Sequence, residues 1–169
     1  RLTLVAGSGS RHFLVDDGTA ALIDVQISGL TLTGGGASGP LVQAGGAISN
    51  SESLTISDSA VTNNQSESVG GGIVSIDGVL NVHTSTISAN STTSTGGGIG
   101  TNNELNITNS TISGNTAGIG GGITTESATS ISGSTIAGNS GDGILASGAV
   151  LSLNNSIVAN TLSGFDIRG

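Results

Sequence analysis

The chain has 169 residues, a net charge of −8 and an isoelectric point near 4.1, and its basic residues are three arginines with no lysine. It contains 30 Gly, one Pro and two Phe, but no Trp, Tyr, Met or Cys. The lack of Cys excludes disulfides, thiolate zinc sites and thiol catalysis. The acidic balance disfavours nucleic acid and anionic membranes as partners.

Residues 1–44 predict short strands in a less regular arrangement. Apolar and polar residues alternate in Leu2-Thr3-Leu4, around Phe13, and from Ile27 to Leu32. This alternation is typical of β-strands, and no part of the chain shows the period of an amphipathic helix. We interpret this region as the first coils of a repeat that becomes regular at residue 45.

Residues 45–160 repeat one pattern five times, and two columns step together with 21 to 26 residues between successive members. Such a period is typical of a solenoid. We predict that the aliphatic column lies in the core and that the amide column forms a structural ladder. The aliphatic column is Ile48, Ile73, Ile99, Ile123 and Ile144, and the amide column is Asn64, Asn90, Asn115, Asn139 and Asn160.

Two further apolar positions complete each unit. Their members are Ile56, Val82, Ile107, Ile131 and Leu153, followed four or five residues later by Val61, Ile87, Ile112, Ile136 and Ile157. Three short strands per unit would each pair with the equivalent strand one coil later. The sequence therefore predicts an all-β fold, a parallel β-helix or β-solenoid of six to seven coils. We expect one domain, residues 1–169, in which residues 161–169 form a part-coil.

Asn and Gly have structural roles in this interpretation. Asn tolerates the left-handed backbone of a sharp corner, and stacked amides can hydrogen-bond from coil to coil as in cross-β ladders. The glycine pairs and triplets, such as Gly96-Gly97-Gly98, would supply positive φ or close backbone approach at a second corner. They are not phosphate loops, since no helix follows them.

The repeat Gly-Gly-Gly-Ile followed by Leu-x-Ile-x-x-Ser-x-Ile-x-x-Asn covers the chain from about Phe13 to Asn160, for example in Ser110-Thr111-Ile112-Ser113-Gly114-Asn115. It resembles the right-handed parallel β-helix repeats of bacterial secreted and surface proteins, and it is similar to the repeats of polymorphic outer-membrane autotransporter adhesins. The resemblance implies a right-handed solenoid at the cell surface or outside the cell. Enzymes, tailspikes and noncatalytic stalks share such folds, so function must be argued from sites.

We expect no catalytic residues, no cofactor and no metal site. Cleavage of acidic polysaccharides uses clustered carboxylates, often with a basic residue nearby, whereas the acids here are scattered and the arginines lie near the chain ends. We interpret Asp16-Asp17 as part of a turn, and His12 and His83 as isolated. A lyase-like enzyme is the least favoured alternative.

Two surface functions remain open. An ice-binding face would need parallel Thr columns, and the sequence suggests one column, Ala60, Thr86, Thr111, Thr135 and Ser156, with a second Thr two residues away only at Thr31-x-Thr33 and Thr84-x-Thr86. Glycans are possible partners, as a ligand or as a modification at Asn-x-Ser/Thr motifs.

The chain begins in a predicted strand and stops just after Phe165-Asp166-Ile167. Open strand edges accept a complementary strand, so we predict a noncatalytic extracellular subunit that assembles head to tail with itself into a filament. The predicted assembly residues are Leu2, Leu4, Phe165 and Ile167. The alternative is a passenger stalk or adhesin fragment of a larger surface protein.

Overall fold

The computed structural model describes residues 1–7, 9–37 and 44–169. Residues 8 and 38–43, which belong to the predicted first coils, lie outside the described residues. In the described part every regular element is a strand, all paired strands are parallel, and none of it is helical. The predicted fold class, an all-β parallel solenoid, is confirmed with about six turns and three sheets per coil. Its right-handedness stays a prediction.

Each coil contributes one strand to each of three sheets. Sheet A contains Leu2–Val5, Leu30–Thr33, Ala60–Thr62, Thr86–Ser88, Thr111–Ser113, Thr135–Ala137 and Ile157–Ala159. Sheet B contains Phe13–Val15, Ile48–Asn50, Ile73–Ser75, Ile99–Thr101, Ile123–Thr125, Ile144–Ala146 and Ile167–Arg168. Sheet C contains Asp24–Ser28, Ser53–Ser57, Leu80–His83, Leu105–Thr108, Thr129–Ser132 and Leu151–Asn154. A small sheet D, between A and B, contains Gly36–Ala37, Gln65–Ser66 and Ser91–Thr92.

The core is built from residues that stack on their own equivalents. The predicted column Ile48, Ile73, Ile99, Ile123 and Ile144 runs through sheet B in register, and each member is fully buried. The Leu-x-Ile pairs of sheet C and the central residues of sheet A fill the rest of the interior. Each buried aliphatic side chain contributes about 1.5 to 3 kcal/mol. Neighbouring coils share this burial, so an isolated coil would not be stable.

The last coil differs from the predicted register by one residue. Val158 pairs with Ile136 in the inward column of sheet A, while Ile157 pairs with the outward Thr135 and is 60% exposed. The prediction that Ile157 continues the core column is wrong. Because side chains alternate between the two faces of a strand, a shift of one residue moves Ile157 to the surface.

Left-handed backbone occurs one residue before the predicted amide column. Asn63, Ala89, Gly114 and Gly138 have φ between 53° and 64°, whereas the asparagines that follow them do not have positive φ. Asn160 has φ 56° and therefore occupies the same corner position as Asn63. The ladder asparagines are thus selected for their side-chain amides and not for tolerance of left-handed backbone.

Candidate functional site

Four buried asparagines form a continuous hydrogen-bonded ladder beside sheet A. The side-chain amide of Asn64 donates to Oδ1 of Asn90 at 2.9 Å, and the same bond joins Asn90 to Asn115 and Asn115 to Asn139 at 3.0 Å. Each Oδ1 also accepts the backbone N–H of the preceding asparagine. The second amide hydrogen reaches a main-chain carbonyl, as from Asn115 to Ile87 at 3.0 Å. The ladder therefore satisfies side-chain and main-chain groups together in the interior.

Asn160 is not part of this ladder, so its assignment to the column is wrong. The pairing of Ala159 with Ala137 places Asn160 beside Gly138 and Thr161 beside Asn139. The Thr161 hydroxyl is buried without a hydrogen-bond partner. The amide ladder therefore ends at Asn139.

A second ladder, of serines, runs along the corner between sheets C and A. The hydroxyl of Ser59 accepts the N–H of Leu30 at 3.2 Å, and each later serine hydroxyl accepts the N–H of the preceding serine at 3.1 Å. Each hydroxyl also donates to the carbonyl two residues before it. The Ser of the Leu-x-Ile-x-x-Ser repeat was the sequence signal for this column, although sequence reasoning gave it no role. The members are Ser59, Ser85, Ser110, Ser134 and Ser156.

In the first coil, His12 takes the place that an asparagine amide has in the ladder. Its Nε2 lies 3.1 Å from the carbonyl oxygens of both Leu4 and Thr33. The Leu4 carbonyl is equivalent to the Leu32 carbonyl, which receives the amide of Asn64 one coil later. Because both neighbouring atoms are carbonyl oxygens, which only accept, we assign a proton to Nε2. The interpretation of His12 as an isolated side chain is therefore wrong, since it replaces an asparagine that this coil lacks.

Glu52 anchors the long loop of residues 16–23 between sheets B and C. Its side chain is 1% exposed, and its two carboxylate oxygens accept the N–H groups of Asp17 at 3.1 Å and Ile23 at 2.8 Å. One carboxylate oxygen from each of Asp16, Asp17 and Glu52 lies within 4.8 Å of the others. The N–H of Thr19, with the Thr19 hydroxyl, lowers the pKa of Asp17. Backbone N–H groups thus hold this acidic turn together.

We expect Glu52→Gln to loosen this loop. Glutamine retains the shape of the side chain but turns one acceptor into a donor that faces an N–H group, which costs about 1.5 to 3 kcal/mol for a bond to a charged group. Amide hydrogen exchange at Ile23 should accelerate, while exchange at the ladder asparagines should not. Glu67→Gln, at an exposed position, is the matched control. Unchanged exchange at Ile23 would show that the two bonds do not hold the loop.

The glycine corner, defined as the turn just before sheet B, brings successive coils into close contact. A Cβ built on Gly97 would lie 2.6 Å from the Thr116 carbonyl oxygen and closer still to that of Gly121. Two coils later the equivalent position is Asp142, which is 1% exposed. Its Oδ1 accepts the N–H of Phe165 at 2.9 Å and lies 3.1 Å from Nη2 of Arg168. Here a carboxylate replaces the close coil-to-coil contact of the glycines.

A shallow groove of about 290 Å³ crosses three coils on the outer face of sheet B. Its floor contains Val74, Gly100 and Thr124, and Glu126 is the charged residue among the described residues that line it. Inverting and retaining glycosidases use a pair of carboxylates that flank the scissile bond. The described groove does not offer that pair.

The outer face of sheet A carries two parallel columns without a charged side chain. One column is Thr31, Ala60, Thr86, Thr111, Thr135 and Ile157, and the other is Thr33, Thr62, Ser88, Ser113, Ala137 and Ala159. The predicted column was therefore wrong at Ser156, and Thr84 is a corner residue with φ 45°. The second column is more complete than the sequence suggested, because Ser and Ala fill it as well as Thr.

Each end of the solenoid exposes apolar side chains and strands that have a neighbour on one side only. Of the predicted assembly residues, Leu2 is 65% exposed, Phe165 is 59% exposed and Ile167 is 43% exposed, while Leu4 is partly buried against the core. Sequence reasoning did not include Leu14, Ile157 and Leu162, which are exposed by 60% or more. Leu14 and Leu162 lie outside the regular columns that guided the prediction, and Ile157 had been assigned to a core column.

The stacked parallel strands define the chain as a β-solenoid repeat protein of about six turns. Comparisons with protein-family models, with curated proteins and with solved structures find no significant match to this chain. The described residues form no helix of the length and apolar character that a membrane span requires.

Proposed function

We propose that this chain is a noncatalytic structural subunit that assembles end to end into a filament outside the cell. The observation that carries the proposal is the match between the two ends. At each end the three main sheets all finish in an edge strand, and the strands are parallel along the whole rod. A second copy in the same orientation would therefore extend sheets A and B together, while sheet C, with six strands to their seven, would lack one strand at the junction.

The inward columns also match across such a junction. If the strand register continues across the junction, Val158 of one copy would lie below Leu4 of the next, and Ile167 below Phe13. In sheet C, Leu151 and Leu153 would face Val25 and Ile27 across the space of one missing strand. The contacts in sheets A and B join apolar side chains, so the junction would continue the core on these two sides. A head-to-tail contact of this kind does not close on itself.

The extracellular location and the structural role draw further support from the resemblance to secreted β-helix repeats. The alternative, a passenger stalk of a larger surface protein, uses the same ends differently, because the adjoining coils would belong to the same polypeptide. The filament proposal and the stalk alternative therefore differ in whether the isolated chain polymerises.

Negative-stain electron microscopy at micromolar concentration tests the proposal. We expect thin filaments with an axial repeat of about 34 Å, because sheets A and B advance by seven strands per copy spaced roughly 4.8 Å apart. Ile167→Lys at the end should abolish them, since it places a charge in the apolar junction. Ile119→Lys is the matched control, because Ile119 is also 43% exposed but lies on the side of the rod. Discrete short rods of the unmodified chain would contradict the filament and favour the stalk.

A further inference from the structure

Buried polar atoms without a hydrogen-bond partner are concentrated near the two ends of the solenoid. Six buried side-chain nitrogen and oxygen atoms among the described residues have no hydrogen-bond partner. One of these atoms, the hydroxyl oxygen of Thr124, lies on the outer face of sheet B. The other five lie in the first and last coils, in the connection from sheet A to sheet B or just after it, and belong to Arg11, His12, Asp142, Thr161 and Arg168. Buried polar groups are normally paired, so this concentration calls for an explanation.

Register places two of these five residues, Arg11 and Asp142, in the same row of the glycine corner. The pairing of Phe13 with Ile48 places Arg11 in the row of Gly46, which is the middle glycine of the corner. The pairing of Ile144 with Ile167 places Phe165 in the same row at the other end. In an end-to-end stack the corner of Arg11 would therefore rest on the corner of Phe165 and Asp166.

Interior corners are completed by the coil that follows. The N–H of Gly97 donates to the Gly120 carbonyl at 3.1 Å, and that of Gly98 donates to the Gly121 carbonyl at 3.0 Å. At the last coil no such neighbour is present, and Phe165 turns its N–H back to Asp142. The last corner therefore lacks the backbone partner that each interior corner has.

The charges at the two corners are complementary. Burial lowers the pKa of Arg11, and the one ion pair among the described residues joins Arg168 to Asp142, which leaves Arg11 without a carboxylate partner. Asp166 is exposed, and only its Oδ1 is engaged, by the N–H of Thr161 at 3.0 Å. Phe165 presents an aromatic ring that already stacks with one guanidinium, Arg168, at 4.9 Å.

We propose that the glycine corner is the recognition element of the junction, with Arg11 of one copy set against Asp166 and the ring of Phe165 of the next. This inference rests on the proposed end-to-end assembly, and it adds the contact that selects a second copy and fixes its direction. Opposite charges at an interface select partners and register, and like charges in the same place oppose association.

Charge exchange between two variants tests the inference through the concentration at which filaments first sediment. Arg11→Glu alone would place Glu against Asp166, and Asp166→Arg alone would place Arg against Arg11, so each should raise that concentration by about tenfold or more. An equimolar mixture should restore assembly as alternating filaments, because every junction between unlike copies then joins opposite charges. A defect caused by misfolding cannot be rescued in this way.

Arg1→Glu is the control, since it makes the same change of charge at an exposed residue outside the corner. Assembly of both single variants at the unmodified concentration, or failure of the mixture to recover, would overturn the corner contact while leaving end-to-end assembly intact. If the unmodified chain remains monomeric, the proposed function fails, and the inference that rests on it fails as well.

Discussion

Asn115→Leu is expected to lower the free energy of unfolding by at least about 3 kcal/mol. Asn115 is fully buried at the centre of the ladder. Its Oδ1 accepts two hydrogen bonds from Asn90, and its amide donates to Ile87 and Asn139. Leucine fills a similar volume but removes the partner of three buried groups, each at a cost of about 1 to 3 kcal/mol when it is left unpaired. They are the backbone N–H and one amide hydrogen of Asn90 and the carbonyl of Ile87, whereas Oδ1 of Asn139 keeps the backbone N–H of residue 115. Since folded domains are stable by about 5 to 15 kcal/mol, the loss is a large fraction of the total.

Urea denaturation measures this loss, and Asn102→Leu provides the comparison at an exposed turn residue. Hydrogen exchange adds spatial information, because the amide of Asn90 loses its acceptor directly. We expect its protection to fall more than that of residues near either end. A midpoint within experimental error of the unmodified chain would mean that water replaces the amide and that the ladder contributes little.

The fold could be predicted from sequence because a solenoid repeats its burial pattern. Each coil must place an aliphatic residue above its equivalent in the previous coil, so after Ile73 and Ile99 another is expected roughly one coil later, where Ile123 stands. Glycine triplets and asparagines recur at the same offsets for the same reason. The prediction needed only that the aliphatic and amide columns keep nearly the same separation within each coil, since successive coils follow the same path.

The last coil shows where this reasoning stops. The identity of Asn160 suggested that it continues the ladder, but the column position falls on Thr161. The interval from the inward residue of sheet C to that of sheet A is five residues in every regular coil, and counting five from Leu153 gives Val158. A constant interval is a physical constraint on the path of the chain, whereas the residue at a given position can change from coil to coil, as from Asn139 to Thr161.

The residues that organise the ends are departures from the repeat. His12, Glu52 and Asp142 bind backbone groups that interior coils satisfy in other ways. Their partners lie 8 to 35 residues away in the chain, and they are single occurrences, so no periodicity indicates them. The one available sequence signal was a break in the repeat, as in the change from Gly-Gly-Gly to Gly141-Asp142-Gly143.

Gly97→Ala is expected to destabilise the solenoid by about 3 kcal/mol or more, at the upper end of the range for overpacking. The new methyl group would lie 2.6 Å from the Thr116 carbonyl oxygen and nearer to that of Gly121. Both obstacles are main-chain atoms held by hydrogen bonds between coils, so neither can rotate away as a side chain would. Relief requires that the coils separate at this corner, which lengthens the bonds from Gly97 to Gly120 and from Gly98 to Gly121.

Gly36→Ala is the control, because a Cβ there would meet its nearest neighbour at an ordinary 3.6 Å. Thermal and urea unfolding of the two variants should differ clearly if close approach of the coils is the reason for glycine in the middle row. Asp142 supports this expectation from within the chain. A side chain occurs in that row where the next coil no longer stacks a glycine triplet on it, and Phe165 there donates to the carboxylate instead. Equal stability of the two alanine variants would show that the corner can open without loss, and close contact would then not explain the glycine column.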